Sequence, residues 1–397
     1  MLSVRGDFPY LLRLINGRPI VYLDNAATTQ KPRQVIDQMV SLYSSGVANV
    51  HRAVNFLANE VTEAFETTRE ACARLIAADP GEIIFVSNAT HGINLVCNAL
   101  TSGGQLRILT STLEHHSNLL PWTTRGSVDW IPWDQQGHLD LDALEQKLST
   151  RPALVTVSRA SNFLGTLQPI RAIVEACHKA GALVLVDASQ SIAHEPHDVR
   201  ELDCDFLVFS GHKIYAPSGT GVLYVKQKLV SRMRPLLMGG HMVKEVHADR
   251  FTLNDAPHCF EAGTPNIEGV IGLRAAIDYV EGLGYDAIGR HEGELVAYAK
   301  RRLASVDSVR LHGPMAGEPS APLVPFEVRG LDSGSVAKIL ANRANVIVRS
   351  GFHCAQPAHD ALNAGPTVRA SFAVYNTMEE IDQMTDALQA VARPLVI

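Results

Sequence analysis

The chain lacks an excess of positive charge. Its 397 residues include 35 Lys and Arg against 41 Asp and Glu, a formal net charge of −6 at pH 7. Surfaces that bind nucleic acid are normally strongly basic, so this balance argues against a nucleic-acid partner. With 46% hydrophobic and 19% charged residues, the composition is that of an ordinary globular protein. The length is sufficient for two or three domains.

The sequence also lacks long apolar runs and a targeting signal. No stretch approaches the roughly 20 apolar residues that span a bilayer. Residues 1–7, MLSVRGD, show no basic segment followed by an apolar one. We therefore expect no membrane partner and a cytoplasmic protein.

Paired cysteine motifs are absent as well. The six cysteines are scattered, and no two form a Cys-x-x-Cys pair: Cys72, Cys97, Cys177, Cys204, Cys259 and Cys354. This spacing predicts reduced, mostly buried thiols and no disulfide framework. His115 and His116 are adjacent, so their side chains diverge, and we expect no metal site.

Short apolar strands alternate with helical patterns from about residue 80 to 226. Strands are predicted at 83–86, 107–110, 154–157, 183–186, 206–209 and 222–225. The run LVLV at 183–186 has no polar alternation, which is typical of a parallel strand buried on both faces. Towards the C-terminus the pattern becomes that of a smaller unit. We therefore predict an α/β fold, with a mainly parallel central sheet in a large domain and a small α+β C-terminal domain.

Polar and reactive side chains directly follow these strands. They are Thr90, His115, Asn162, Asp187, Ser210, His212 and Lys213. Ligands of open α/β sheets bind beyond the carboxyl ends of the strands, so one pocket can collect all of them.

Lys213 is the predicted cofactor-binding nucleophile. A positioned lysine forms a Schiff base with a carbonyl cofactor, and pyridoxal phosphate is the usual partner. Asp187 can face the ring nitrogen, His115 can lie against the ring, and Gln190 can bond the ring oxygen. The phosphate needs hydroxyls and N–H groups at a helix N-terminus, for which the candidates are Ala89, Thr90, Ser210 and His212.

Cys354 is the second candidate nucleophile. Its neighbours are not an apolar stripe, and we expect Arg349 and His353 to act as cations that favour the thiolate. Arg369 is a candidate for a bidentate grip on a substrate carboxylate, assisted by Asn162. A thiol and an amine in one pocket predict covalent chemistry on a small molecule.

Several blocks of the sequence resemble those of group II (SUF-type) cysteine desulfurases, a family with the class V aminotransferase fold that includes selenocysteine lyase-like proteins. The most specific blocks are DASQ at 187–190, SGHK at 210–213 and RSGFHCA at 349–355. Further blocks lie at 22–28, 49–52, 114–118, 260–266 and 369–372, so the resemblance runs nearly from end to end.

The resemblance implies a fold type I pyridoxal phosphate enzyme that converts L-cysteine to L-alanine. The sulfur would remain as a persulfide on Cys354 and pass to an acceptor protein, for iron–sulfur cluster assembly or other sulfur metabolism. Lys213 would also move the Cα proton, and His115 would exchange a proton with the substrate thiol.

The resemblance also implies a homodimer with the active site at the subunit interface. Thr264 would reach the cofactor phosphate held by the other subunit. Arg369, Asn162 and Arg349 would bind substrate, with His51 and Arg52 near the entrance. We divide the chain into an N-terminal arm at 1–15 that packs with the small domain, a large domain at 16–283 and a small domain at 284–397.

The sequence departs from the family pattern in loops around the pocket. The departures are SNATH at 87–91, Arg-Ala at 159–160, Ala216 in place of a glycine and a shortened stretch at 101–107. They leave the cofactor residues in place and the substrate preference open. The alternative enzyme is a lyase acting on L-selenocysteine or another β-substituted amino acid. A catalytically silent binding subunit is the alternative outside catalysis, and the intact Lys213, Asp187 and Cys354 argue against it.

Overall fold

The computed structural model describes residues 2–51, 55–101 and 103–392. Its strands are β1 Leu14–Ile15, β2 Arg18–Pro19, β3 Val21–Tyr22, β4 Ile83–Val86, β5 Arg107–Thr110, β6 Ser127–Trp130, β7 Leu154–Ser158, β8 Leu183–Asp187, β9 Phe206–Ser210, β10 Gly221–Val225, β11 Val243–Val246, β12 Phe251–Leu253, β13 Val309–Leu311, β14 Leu323–Val328, β15 Val346–Ile347, β16 Arg349–Gly351 and β17 Thr367–Ser371. Its helices are α1 Arg33–Ser45, α2 Phe56–Leu75, α3 Ala89–Thr101, α4 Leu120–Arg125, α5 Leu141–Leu148, α6 Ile170–Lys179, α7 Val199–Leu202, α8 Gln227–Val230, α9 Ile267–Leu283, α10 Tyr285–Ala304, α11 Ser333–Ala344, α12 Gln356–Ala361 and α13 Met378–Ala392.

A seven-stranded sheet forms the centre of the molecule, in the order β4-β10-β9-β8-β7-β5-β6. Strands β6, β5, β7, β8 and β9 are parallel, while β10 runs antiparallel to both of its neighbours. The apolar run of β8 is buried almost throughout, because hydrophobic clusters cover both faces of the sheet. The predicted α/β fold with a mainly parallel sheet is therefore confirmed.

Helix α6 shows how the sequence pattern places a helix on this sheet. Ile170, Ile173, Val174 and Cys177 recur at helical spacing and are the buried residues of α6. Gly181 follows the helix with a φ of +80°, a backbone conformation that glycine adopts without strain. Cys177 is thus a core residue, as its spacing predicts.

A smaller antiparallel sheet, β13-β14-β17-β16, lies in the C-terminal part of the chain. Helices α10, α11 and α13 contribute the apolar residues that pack with it in one cluster. Val21 and Leu23 join this cluster, and β3 pairs in parallel with β15. The first residues make contacts in both parts of the molecule, since Arg5 pairs with Glu380 and Phe8 packs on Tyr215. The domain boundaries at 15/16 and 283/284 stay predictions.

The strands of the hairpin β11–β12 are largely exposed and therefore lack an apolar pattern. Strands β15 and β16 follow each other closely in the chain but belong to different sheets, since β15 pairs with β3 and β16 pairs with β17. Among the described helices, none is long and apolar enough to cross a membrane.

Candidate active site

A cavity of about 510 Å³ opens beyond the carboxyl ends of the central strands. The predicted site residues that line it are Ala89, Thr90, His115, Asn162, Asp187, Gln190, Ser210, His212, Lys213, Arg349, Cys354 and Arg369. His51 and Thr264 are exposed and lie outside this cavity, and Arg52 lies outside the described residues. One cavity therefore collects both candidate nucleophiles, as predicted.

Lys213 and Asp187 are an ionisable amine and carboxyl that both line the cavity. Asp187 is the last residue of β8, and its Oδ1 accepts the N–H of Ser189 at 2.9 Å. Burial lowers the pKa of Lys213 to about 8, although the charge of Asp187 acts to raise it. The Lys213 amine is therefore substantially deprotonated near pH 8, the form in which it acts as a nucleophile.

The turn that presents Lys213 depends on Gly211. A Cβ at residue 211 would lie 2.5 Å from Oγ1 of Thr220 and 3.4 Å from Cβ of Ala216. The turn is further held by the Thr29 N–H and the Lys31 ammonium, which both donate to the carbonyl of His212, the residue before Lys213. The backbone that precedes the nucleophile is thus fixed.

Hydroxyl groups gather where β9 meets the first turn of α3. Ser210 Oγ accepts the N–H of Ala89 at 2.9 Å, which leaves its own proton available to donate. Thr90 Oγ1 lies 2.7 Å from Oγ of Ser117, a residue that the sequence prediction missed. Donors at a helix N-terminus form a site suited to a phosphate group.

His115 is held as a neutral ring with a defined tautomer. Its Nδ1 accepts the N–H of Ser117 at 3.0 Å, so the ring proton of the neutral form is on Nε2. Burial and the charge of Lys213 lower the pKa of His115 to about 4. At neutral pH His115 therefore offers one N–H donor to the cavity.

Cys354 lies on a tightly bonded loop, yet its side chain is exposed. Its carbonyl accepts the N–H of His116 at 2.8 Å, and the preceding carbonyl, of His353, accepts the Asn162 amide at 2.6 Å. His353 and Cys354 have φ values of +52° and +56°. The other five cysteines are buried, as predicted.

The expectation that His353 acts as a cation beside Cys354 is wrong. Burial, assisted by the charge of Arg369, lowers the pKa of His353 to about 2. Its Nε2 is 2.9 Å from Oγ1 of Thr367, inside the small sheet. His353 thus anchors the loop as a neutral ring, and Arg349 and Arg369 supply the positive charge nearby.

Arg369 is a buried guanidinium that faces a single carboxylate. It is 3% exposed, and its Nη2 lies 3.8 Å from Oδ1 of Asp24, which also attracts Arg349 at 3.6 Å. Arg369 Nη1 donates to the carbonyl of Asn162. Its Nε makes no hydrogen bond to any described residue. Burial lowers the pKa of Arg369 to about 10, so it remains cationic at neutral pH and suited to a carboxylate ligand.

The family model described as Aminotransferase class-V matches residues 21–384. The chain belongs to this family. The predicted resemblance is therefore confirmed at the level of the family, and the whole of the cavity described above lies within the matched class-V aminotransferase region.

Relatives and solved structures match this chain over almost its full length. It is 44% identical to a probable cysteine desulfurase of Synechocystis sp., with 98% of this chain and 95% of the relative covered. It is 42% identical to a cysteine desulfurase of Enterobacter sp., with 98% and 97% covered. The apo cysteine desulfurase of Thermococcus onnurineus NA1 superimposes with a TM-score of 0.93 at 37% identity, covering 98% of both chains. The cysteine desulfurase CsdA of Escherichia coli gives a TM-score of 0.90 at 35% identity, covering 99% of this chain and 98% of the other.

Three residues that support the site were not predicted from the sequence. Asp24 lies close to Arg349 and Arg369, Lys31 bonds the carbonyl that precedes Lys213, and Glu114 Oε2 is 2.5 Å from Oγ of Ser158. Each acts through another residue rather than through a reactive motif. The sequence shows that these three charged residues lie in polar segments. It does not show that the folded chain buries them.

Proposed function

We propose that this protein is a pyridoxal phosphate-dependent cysteine desulfurase, which converts L-cysteine to L-alanine and transfers the sulfur to Cys354. The observation that carries the proposal is the shared cavity, which is lined by the exposed Cys354 and by the Lys213–Asp187 pair. The near full-length similarity to cysteine desulfurases supports the same conclusion.

The donor set of the cavity fits pyridoxal phosphate. Asp187 suits the ring nitrogen, Lys213 suits the aldehyde, and Thr90, Ser210 and Ser117 offer hydroxyls for the phosphate. Gln190 keeps one amide proton for the ring oxygen, since its Nε2 uses the other on the carbonyl of Ala26 at 2.8 Å. When bound, the cofactor acts as an electron sink for the negative charge that develops at the substrate Cα.

Arg369 and Lys213 position the substrate and move its proton. The Arg369 guanidinium has Nε unused, so it can bind the substrate carboxylate while Nη1 remains on Asn162. The Lys213 amine, with a pKa of about 8, is suited to accept the Cα proton near neutral pH. Asn162 links this grip to the Cys354 loop through its bond to His353.

Cys354 takes the sulfur. Its thiolate attacks the substrate sulfur, so an S–S bond forms and the bond between that sulfur and the substrate Cβ breaks. The electron pair of the broken bond goes to the substrate Cβ, which gains a proton. The product then leaves as alanine. Cys354 retains a persulfide. His115, with its proton on Nε2, is suited to donate a hydrogen bond to the substrate sulfur.

A Cys354→Ser variant tests this assignment. With L-cysteine and a reductant, the wild type should release sulfide and alanine in equal amounts, while Cys354→Ser should lose at least about 100-fold in rate and keep bound cofactor. Cys204→Ser, at a buried position, is the matched control. A Cys354→Ser protein that still releases alanine at the wild-type rate would show that the sulfur leaves without passing through Cys354, as in a lyase. Parallel assays with L-selenocysteine and a cysteine S-conjugate would then define its substrate.

A homodimer, a sulfur-acceptor protein and a cytoplasmic location belong to the same proposal. Exposed Thr264 and His51, outside the cavity of their own chain, support a site completed by a second subunit. Light scattering after size-exclusion chromatography should give twice the chain mass of 43.1 kDa. A monomer with full activity would contradict the shared site.

A further inference from the structure

Three histidines converge outside the cavity. His51, His241 and His258 each offer one ring nitrogen, and these three nitrogens lie within 4.8 Å of one another. The centroid of the His51 ring is 5.0 Å from that of His241 and 5.0 Å from that of His258. We call these three residues the histidine cluster. Its members come from three distant segments, which explains why no ligand spacing is visible in the sequence.

Carboxylates surround the histidine cluster. Glu66 Oε1 lies 2.8 Å from Nε2 of His51, and Glu261 Oε2 lies 3.9 Å from Nδ1 of His258. The same two carboxylates flank Arg69. Its Nε lies 2.8 Å from Oε2 of Glu66, and its Nη1 lies 2.7 Å from Oε1 of Glu261. Two negative charges and one positive charge leave a net charge of −1 next to three imidazoles. A carboxylate beside a ligating histidine orients the ring and strengthens it as a donor.

One member of the cluster, His241, is buried, and one ring nitrogen of His258 is buried as well. His241 is 7% exposed, and Nδ1 of His258 is out of contact with solvent and makes no hydrogen bond within the described part of the chain. A buried ring nitrogen without a hydrogen-bond partner lowers the stability of the fold. A metal ion that accepts the lone pair of this nitrogen would remove that cost.

We propose that His51, His241 and His258 bind a divalent transition-metal ion, with Zn²⁺ as the best match. Three imidazole ligands with a fourth position open to water or a small ligand are a common zinc arrangement. Zinc–nitrogen bonds of about 2.0–2.1 Å in a tetrahedron place ligand nitrogens about 3.3 Å apart. Side-chain rotation therefore needs to close at most about 1.5 Å between any pair.

The ion would join three segments that are distant in sequence. The carbonyl of Gly240, next to His241, accepts the N–H of Gly263 at 2.9 Å. His258 begins the short 3-10 helix His258–Phe260, which leads into the same turn. A bound ion would thus fix the position of the exposed turn that carries Thr264. This is a structural role, and it does not depend on the reaction proposed above.

The test is a zinc titration of the chelator-treated holoenzyme by calorimetry. All proteins carry Cys354→Ser, which removes the exposed thiol as a competing ligand. We expect one Zn²⁺ per chain. His241→Ala and His258→Ala should each weaken binding by more than about 100-fold, and Glu66→Gln should weaken it about tenfold. His247→Ala, an exposed histidine after β11, is the matched control and should bind as the parent does.

Two results would overturn the proposal: absence of zinc binding by the parent, or equal binding by the parent, His241→Ala and His258→Ala, which would indicate an adventitious ion only. If a histidine variant fails to fold, zinc-edge X-ray absorption of the parent decides the question. Three imidazole nitrogens at about 2.0 Å support the cluster, whereas sulfur ligands or oxygen ligands alone refute it.

Discussion

The buried Glu114 carboxyl should make the stability of this protein depend on pH. It is 2% exposed, and its Oε2 accepts hydrogen bonds from Ser158 Oγ at 2.5 Å and Asn118 Nδ2 at 2.7 Å. Burial, assisted by the charge of Asp187, raises the pKa of Glu114 to about 7. The folded protein therefore holds this proton more tightly than the unfolded chain does.

The pH window follows from the two pKa values of Glu114. Below the unfolded pKa of 4.5 the carboxyl is protonated in both states and has no effect on stability. As the pH rises from there to about 7, the unfolded chain loses the proton first. The free energy of unfolding then falls by up to about 1.4 kcal/mol per pH unit. Above pH 7 the full loss, about 3 kcal/mol as an upper limit, is present.

Glu114→Gln removes the ionisation and keeps an oxygen to which Ser158 and Asn118 can donate. Relative to the wild type, its free energy of unfolding should rise by up to about 3 kcal/mol between pH 5 and pH 8. Urea unfolding at equal protein and cofactor concentrations measures this difference, since bound cofactor and subunit association also shift stability.

The matched control is Glu63→Gln, because Glu63 lies on the exposed face of α2. The difference in the free energy of unfolding between Glu63→Gln and the wild type should be the same at pH 5 and pH 8. A Glu114→Gln difference that stays constant from pH 5 to pH 8 would refute the reasoning, because it would show that Glu114 titrates alike in both states. An equal increase in the Glu63 variant would assign the effect to the overall charge.

Further predictions concern the cavity itself. Borohydride reduction should attach pyridoxal phosphate covalently to the wild-type chain but not to Lys213→Ala, and mass spectrometry measures the difference. Covalent attachment to Lys213→Ala would assign the Schiff base to another lysine. Arg369→Lys loses the bidentate geometry, so the KM for L-cysteine should rise at least about tenfold with a smaller change in kcat. An unchanged KM would remove Arg369 from substrate binding. Gly211→Ala places a Cβ 2.5 Å from Thr220 Oγ1 and should lower the free energy of unfolding by about 1–3 kcal/mol in urea. An unchanged free energy of unfolding would show that the turn can widen to admit the Cβ.

The central sheet and the reactive loops were predictable because burial leaves a strong pattern. A strand covered on both faces must be apolar throughout, as in β8, so its end is visible where Asp187 interrupts the run. Parallel strands bring their carboxyl ends to one edge, and this rule alone places Asp187, Ser210 and Lys213 together.

The supporting residues were not predictable, because their roles depend on burial and on distant partners. Glu114 and Lys31 belong to polar segments, where a charged residue is ordinarily solvated. Proximity in sequence was also misleading for His353, which follows Arg349 by four residues but is directed into the small sheet, where Thr367 bonds its ring. The hairpin β11–β12 is mostly exposed, so it has no apolar alternation to reveal it.

The geometry of the Cys354 loop accounts for both uses of the thiol under the proposed function. His353 and Cys354 both have positive φ, a conformation that carries roughly 1–3 kcal/mol of strain for each residue other than glycine. The hydrogen bonds from His116 and Asn162 to the carbonyls of this pair hold that conformation. They fix the backbone and leave the side chain exposed. A thiol that lines the cavity and also meets solvent can take sulfur from a substrate inside and present it to an acceptor outside. Large movement of the loop is then unnecessary for either step.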